Sequence, residues 1–250
     1  MISCNVTYYN EPKWLKYWYH TVIGLNEQGY DIRLNIADDG SMREPAEKFF
    51  EKHPPTDSMR LFRVIEDIGF NSHGSRNLLM KMTETDWNLN SDIDRRYPIE
   101  TFKKAASGSV EFTKGNHYSL KEMQQASPDG FSVNDYIVHR EDFWKTGGYD
   151  EEFVNIHWGD RLFLETLRSV SVRVLRKDLK VKYVRLSRQV TWADVETTQY
   201  PDDNTLIHPN NRWPDREFRT NLRLMVAARN KTKEGRESKK VINFDWKQIF

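Results

Sequence analysis

The sequence predicts an α/β domain on a mostly parallel sheet flanked by helices, with a C-terminal extension. Strand-like and helix-like segments alternate from Met1 to Asp94, the pattern of a parallel sheet crossed by helices. Two of the strand-like segments run straight into acidic turns, where open α/β sheets bind ligands. Of 250 residues, 38% are hydrophobic, including eight Trp, eleven Tyr and thirteen Phe, enough to fill one core. The expected organisation is one domain over 1–190, in halves 1–95 and 96–190, with residues 191–250 packing on it as an extension.

Met1 to Thr7 reads as the first strand, stopped by Asn10-Glu11-Pro12. Trp14, Leu15, Trp18, Val22 and Leu25 recur at helical spacing, and Gly29 supplies a stop. Ile32 to Ala37 alternates with period two and ends in Asp38-Asp39-Gly40-Ser41. Glu44 to Lys52 suits a helix closed by Pro54-Pro55, Leu61 to Ile65 a third strand, and Ser75 to Met82 a helix carrying Leu78, Leu79 and Met82. Trp87 to Asn90 is a strand entering Ser91-Asp92-Ile93-Asp94. From Arg95 to Asp129 the pattern loosens, and a mobile region is expected there. Phe131 to Val138 then reads as a strand, Arg140 to Trp144 as a helical turn and Asp160 to Leu167 as a helix. Ser171 to Leu186 gives one or two further strands, and Asp215 to Ala228 a helix.

Charge is uneven. Arg216 to Lys240 holds nine Lys/Arg against three Asp/Glu, while the whole chain carries only +1. A basic helix over about 215–240 leaves nucleic acid open as a partner, beside the plainer reading of a solvated basic face. Cys4 is the only cysteine, which excludes an intrachain disulfide and a cysteine-built zinc site. No apolar run approaches the roughly 18 residues that span a bilayer. A soluble, cytoplasmic protein without a membrane span is therefore expected.

Two constellations carry chemistry. Asp92 and Asp94, one residue apart in a turn, can address one hard cation and its water shell. In Asp38-Asp39-Gly40-Ser41 a carboxylate can accept a hydrogen bond from a nucleobase N–H or a ribose hydroxyl, although such a turn also serves structure alone. Gly69 to Arg76 is not a phosphate-binding P-loop, because Ser75-Arg76 stands where Lys followed by Ser/Thr is needed. No Gly-x-Gly-x-x-Gly follows the first strand, which removes the argument for a nicotinamide dehydrogenase.

Taken in order, five motifs resemble the family 2 glycosyltransferases, which have the GT-A fold. They are Tyr8-Tyr9-Asn10-Glu11-Pro12, Ile36-Ala37-Asp38-Asp39-Gly40-Ser41, Gly74-Ser75-Arg76-Asn77, Asn90-Ser91-Asp92-Ile93-Asp94, and Gly147-Gly148-Tyr149-Asp150-Glu151-Glu152-Phe153 before Trp158-Gly159-Asp160. The resemblance covers about residues 1–170 and makes 1–95 the half that binds a nucleotide sugar. It implies inverting transfer of a sugar from a nucleoside-diphosphate donor, a UDP-sugar first among them, to an acceptor hydroxyl. Tyr8, Glu11 and Asp38 or Asp39 would surround the nucleobase and ribose, with Arg76 near the diphosphate. Asp94 would hold Mn²⁺ or Mg²⁺, with Asp92 at the metal or the ribose.

Asp160 resembles the family's catalytic base, although Gly159 stands where a Glu is usual; an Asp there also caps a helix. His208 or His157 would complete the metal shell, an ordinary loop histidine being the alternative for His208. Trp158 is open between stacking on a sugar and filling the core, and Gly148 and His157 are expected near the sugar or acceptor. The acceptor is left open, a hydroxylated base in DNA among the choices. A sugar-nucleotide nucleotidyltransferase would place a Gly-rich basic loop after the first strand, which Tyr8 to Pro12 is not. A binding protein of the same fold without transfer is the other alternative.

Overall fold

The structure is a computed structural model that describes residues 1–123, 129–154, 159–183 and 216–250. Its first half follows the expected alternation: β1 (Ile2–Tyr8), α1 (Pro12–Glu27), β2 (Ile32–Asp38), α2 (Ala46–Lys52), β3 (Met59–Val64), α3 (Ser72–Met82) and β4 (Trp87–Asp92). Pro12 opens α1, where its missing N–H costs no helical hydrogen bond. The Asn71 side chain caps α3 by accepting from the Gly74 N–H at 3.2 Å, so this helix starts three residues before the apolar pattern suggests.

The stretch from Arg95 to Asp129 departs from the expectation of a loosely patterned region. It contains β5 (Arg95–Arg96), α4 (Ile99–Ala106) and β6 (Asn116–Glu122). The alternation of β6 is short, only Tyr118 and Leu120 being set between His117, Ser119 and Lys121, and the polar His117 and Ser119 are buried with them. Beyond lie β7 (Phe131–His139), α5 (Arg140–Trp144), a 3₁₀ turn at Glu151–Phe153, α6 (Gly159–Val170), β8 (Val172–Tyr183), α7 (Arg216–Arg229), α8 (Lys233–Glu237) and β9 (Trp246–Gln248).

These strands form one mixed sheet in the order β5-β8-β6-β7-β4-β1-β2-β3-β9. β1 runs parallel to β2 and to β4, and β2 parallel to β3. The chain leaves β1 towards β2 and β3, then returns to lay β4 on the other side. That reversal makes the carboxyl ends of β1, β2 and β4 a topological switch point, where α/β sheets open a crevice. In register, Tyr8 lies beside Asp38 and Thr7 beside Asp92.

The two faces of the central strands differ. Ile2, Cys4, Val6 and Tyr8 pack with Leu15, Trp18, Val22 and Leu25 of α1 in the main apolar core. The other face is polar: Asn35 donates to Asn5 at 2.9 Å, and Asn5 donates to Asn88 and to the Met80 sulfur of α3, both at 3.2 Å. No helix among the described residues is long and apolar enough to cross a membrane.

The C-terminal segment closes an edge of the sheet. β9 pairs antiparallel with β3, placing Val64 opposite Trp246, and the Phe250 ring meets Phe50 edge-on at 4.8 Å. Pairing this edge removes a row of open N–H and C=O groups.

His117 has a consequence for acid stability. Its Nδ1 lies 2.7 Å from the Ser171 hydroxyl, and burial, aided by Arg168 and Arg173, pushes its pKa down from 6.5 to about 4. The unfolded chain therefore takes up this proton more readily than the folded one. The contribution is complete above pH 6.5 and is lost as pH falls towards 4, by about 3 kcal/mol. Urea unfolding of His117→Asn across this range should show a shallower loss than the unsubstituted chain; parallel curves would refute the assignment.

Candidate functional site

The loops at the switch point are held by carboxylates. Asp38 is fully buried, and its two oxygens accept the backbone N–H groups of Ser41 and Ala46, each at 2.8 Å. Asp39 accepts from the Asn71 N–H at 2.8 Å and the Ser75 hydroxyl at 3.1 Å, tying the same turn to the start of α3. Burial pushes the Asp39 carboxyl up to about 7 and raises that of Asp38 as well. Tyr8 is buried with its hydroxyl on the Glu44 carbonyl. Of the residues expected around a nucleobase and ribose, Tyr8, Asp38 and Asp39 thus shape the loop from within. Glu11 is partly exposed beside Lys13, 3.6 Å away.

A second cluster joins the ends of β4, β7, α3 and α6. Arg76 is 1% exposed and projects from α3, giving one amino group to Asp92 and the other to Asp160. Burial opposes charge on this guanidinium, yet Asp160 and Asp92 hold its pKa well above the ordinary value. Burial likewise opposes charge on Asp92, but Arg76 and Arg95 keep its carboxyl below the usual range. The other Asp92 oxygen receives Asn134 at 2.9 Å and Arg95 at 3.2 Å. Arg95 also lies 3.2 Å from the fully buried Asp135, to which Ser91, Ser132 and Tyr97 donate.

Arg95, Asn134 and Asp135 were not among the residues singled out from sequence. The available signal was the carboxylate at Asp135 beside the apolar Tyr136-Ile137-Val138 of the expected strand, since a buried charge demands a partner.

Asp160 lies in the first turn of α6, where an acidic side chain is favoured by the helix dipole. Arg76 binds its Oδ1, and the Nε2 of His73 lies 3.8 Å from the same oxygen. Gly159 makes this approach possible: a Cβ there would sit 2.3 Å from the His73 ring. Gly148 has φ +81°, and a Cβ on it would meet the Asn77 Oδ1 at 2.7 Å. That places Gly148 in a turn docked on α3, where Asn77 also accepts the Tyr149 N–H at 2.8 Å.

The rest of the Gly-Gly-Tyr-Asp-Glu-Glu motif holds the C-terminal segment. Asp150 is fully buried and takes Arg229, Asn230 at 2.9 Å and Lys239 at 3.1 Å. Glu151 accepts the backbone N–H groups of Ile242 and Asn243 at 2.6 and 3.2 Å. Arg236 donates to the Lys145 and Asn230 carbonyls. Three of the nine basic side chains between Arg216 and Lys240, those of Arg229, Arg236 and Lys239, thus bind the tail to itself and to the domain.

The acidic turn can be tested for a cation. The Asp94 Oδ1 is buried without a hydrogen bond, and burial followed by the neighbouring Asp92 pushes its carboxyl up to about 7. A hard divalent ion would relieve both conditions, so the donor set of Asp94 and Asp92 fits one. No group of three or more His, Cys, Asp and Glu suited to a metal occurs among the described residues. His157, Trp158 and His208 lie outside the described residues.

No family model matches the chain, and no curated protein matches it by sequence. Solved structures do match. TarS 1-349 of S. aureus is 16% identical with a TM-score of 0.59, over 73% of this chain and 60% of that one. The same protein in complex with UDP-GlcNAc is 15% identical with a TM-score of 0.57, over 77% and 62%. A mannosyltransferase from Pyrobaculum calidifontis, PcManGT, in complex with GDP-Man and Mn²⁺ is 14% identical with a TM-score of 0.58, over 75% and 57%. The chain thus spans about three fifths of the length of these structures, and it has their GT-A fold.

Removing the central cation should expose how much depends on it. Arg76→Leu would leave Asp92 without its main counter-charge and should cost about 3–5 kcal/mol in urea unfolding. A loss below about 1 kcal/mol, the scale of a surface ion pair, would show that the bridge contributes little.

Proposed function

We propose that this chain is an inverting glycosyltransferase that moves a sugar from a nucleoside-diphosphate sugar to an acceptor hydroxyl, with Asp160 as general base. The observation that carries the reading is the meeting of Asp92 and Asp160 on one buried guanidinium at the switch point. The GT-A structures support it, one being a mannosyltransferase in complex with GDP-Man and Mn²⁺ and another TarS in complex with UDP-GlcNAc.

In this reading the donor lies across the ends of β1, β2 and β4. Glu11 faces the nucleoside, while Tyr8, Asp38 and Asp39 keep the loops in shape around it. Asp94, with Asp92, would hold Mn²⁺ or Mg²⁺, which when bound neutralises charge on the departing nucleoside diphosphate. Arg76 fixes Asp160 through Oδ1, and no described residue hydrogen-bonds Oδ2. The acceptor hydroxyl gives its proton to that carboxylate as its oxygen bonds to the anomeric carbon. The bond from that carbon to the diphosphate oxygen breaks on the opposite face, carrying the electron pair with it.

A second reading, a sugar-nucleotide-binding protein without transfer, is favoured by the engagement of both Asp92 oxygens with Arg76, Arg95 and Asn134. Nucleotide release from UDP-GlcNAc and GDP-Man, with and without Mn²⁺, separates the two. The transferase reading expects Mn²⁺-stimulated release, slow hydrolysis included; donor binding without any release supports the second.

Two substitutions refine the test. Asp160→Asn should keep donor affinity within about twofold and lower kcat by roughly 10²- to 10⁴-fold, as loss of a general base does. A normal rate would reassign the base. Asp94→Ala should abolish stimulation by Mn²⁺ with the fold intact by circular dichroism, whereas retained stimulation would remove Asp94 from the metal site.

A further inference from the structure

His73 is not explained by packing alone. It sits in the first turn of α3, 2% exposed, with its ring stacked on Tyr149 at 5.3 Å and edge-on to Phe153 at 6.4 Å. A phenyl ring would fill that space as well. Yet both imidazole nitrogens are buried, and neither has a hydrogen-bond partner among the described residues. Buried polar atoms in this condition call for a partner that arrives in some state of the protein.

The geometry names that partner. The Nε2 of His73 lies 3.8 Å from the Asp160 Oδ1, just beyond hydrogen-bonding distance, and Gly159 leaves the gap that lets the ring reach so far. Burial, against the pull of Asp160, keeps the imidazole pKa below its ordinary value, so the ring is neutral and carries one N–H.

We propose that His73 is a positioning residue for Asp160, donating from Nε2–H to Oδ1 as the acceptor binds. The proposal rests on the reading of Asp160 as the base. A carboxylate held by Arg76 alone can still turn about its Cβ–Cγ bond. A second donor on the same oxygen, from the same helix but one turn away, fixes the carboxylate plane and aims Oδ2 at the acceptor hydroxyl. Gly159 is the permissive half of the arrangement, because any side chain there would displace the ring.

Two measurements on the full chain test this. In long-range ¹H–¹⁵N spectra, the histidine ring resonances lost in His73→Gln identify His73, so this arm stands even if other variants fail to fold. The neutral Nε2–H tautomer is expected, with its resonance displaced in Asp160→Ala. An Nδ1–H tautomer, or a resonance unmoved by Asp160→Ala, overturns the proposal whether or not the chain transfers sugar.

The second measurement is turnover with UDP-GlcNAc and GDP-Man. His73→Phe keeps the stack on Tyr149 and should lower kcat about tenfold with the donor KM within about twofold. His73→Gln, which keeps a donor near the Nε2 position, should recover most of that loss. An unchanged kcat in His73→Phe, or equal losses in both variants, overturns the proposal by assigning the ring to packing. A normal rate in Asp160→Asn would instead overturn the reading of Asp160 itself, and is thereby told apart.

Discussion

A guanidinium buried to 1% exposure sets the conditions for everything around it. Arg76 cannot lie between sheet and helices unless carboxylates meet it, and it receives one from the end of β4 and one from the start of α6. Those elements are separated by the whole of β5 to β7 in sequence. The ion pairs therefore fix the distance between the acidic turn and α6 more tightly than apolar packing would, since apolar contacts lack direction. The buried polar first half of α3, from Ser72 to Asn77, follows from the same demand. Its residues serve the loop at Asp39, the cation at Arg76 and the turn at Tyr149.

A second buried charge performs the corresponding task for the C-terminal segment. Asp150 draws in Arg229, Asn230 and Lys239, while Glu151 next to it receives two backbone N–H groups from the same segment. The turn that follows Trp144 is thus bound on one side to α3, through Asn77, and on the other to the tail. A change at either contact would be felt at the other.

Much of the fold was legible because its signals are local. Period-two alternation, Pro12 before an apolar helix and acidic turns after strands mark β1 to β4 with small shifts at the ends. β6 was not legible, since only Tyr118 and Leu120 mark its alternation and the partners of the buried His117 and Ser119, Ser171 and Arg173, lie more than fifty residues away. β9 is too short to carry a pattern at all. At the site, the sequence drew attention to Asp92, Asp94, Arg76 and Asp160, and the structure brings Asp92, Arg76 and Asp160 into contact, with Asp94 beside Arg95. What spacing cannot reveal is whether a carboxylate faces a ligand or its own backbone. Asp38 and Asp39 look alike in the chain, yet Asp38 holds two N–H groups of its own loop and Asp39 the start of α3.

The edge strand β9 also has a bearing on how the chain is made. It is the last of the described strands to leave the ribosome, yet it pairs with β3, which is among the first. Until it arrives, β3 presents an open edge to any neighbouring nascent chain, and Asp150 waits for Lys239 from nearly the same stretch. The β3 edge therefore closes later in synthesis than any other pairing of the described strands, and a chaperone that shields β3 before then would meet the surface that Trp246 later covers.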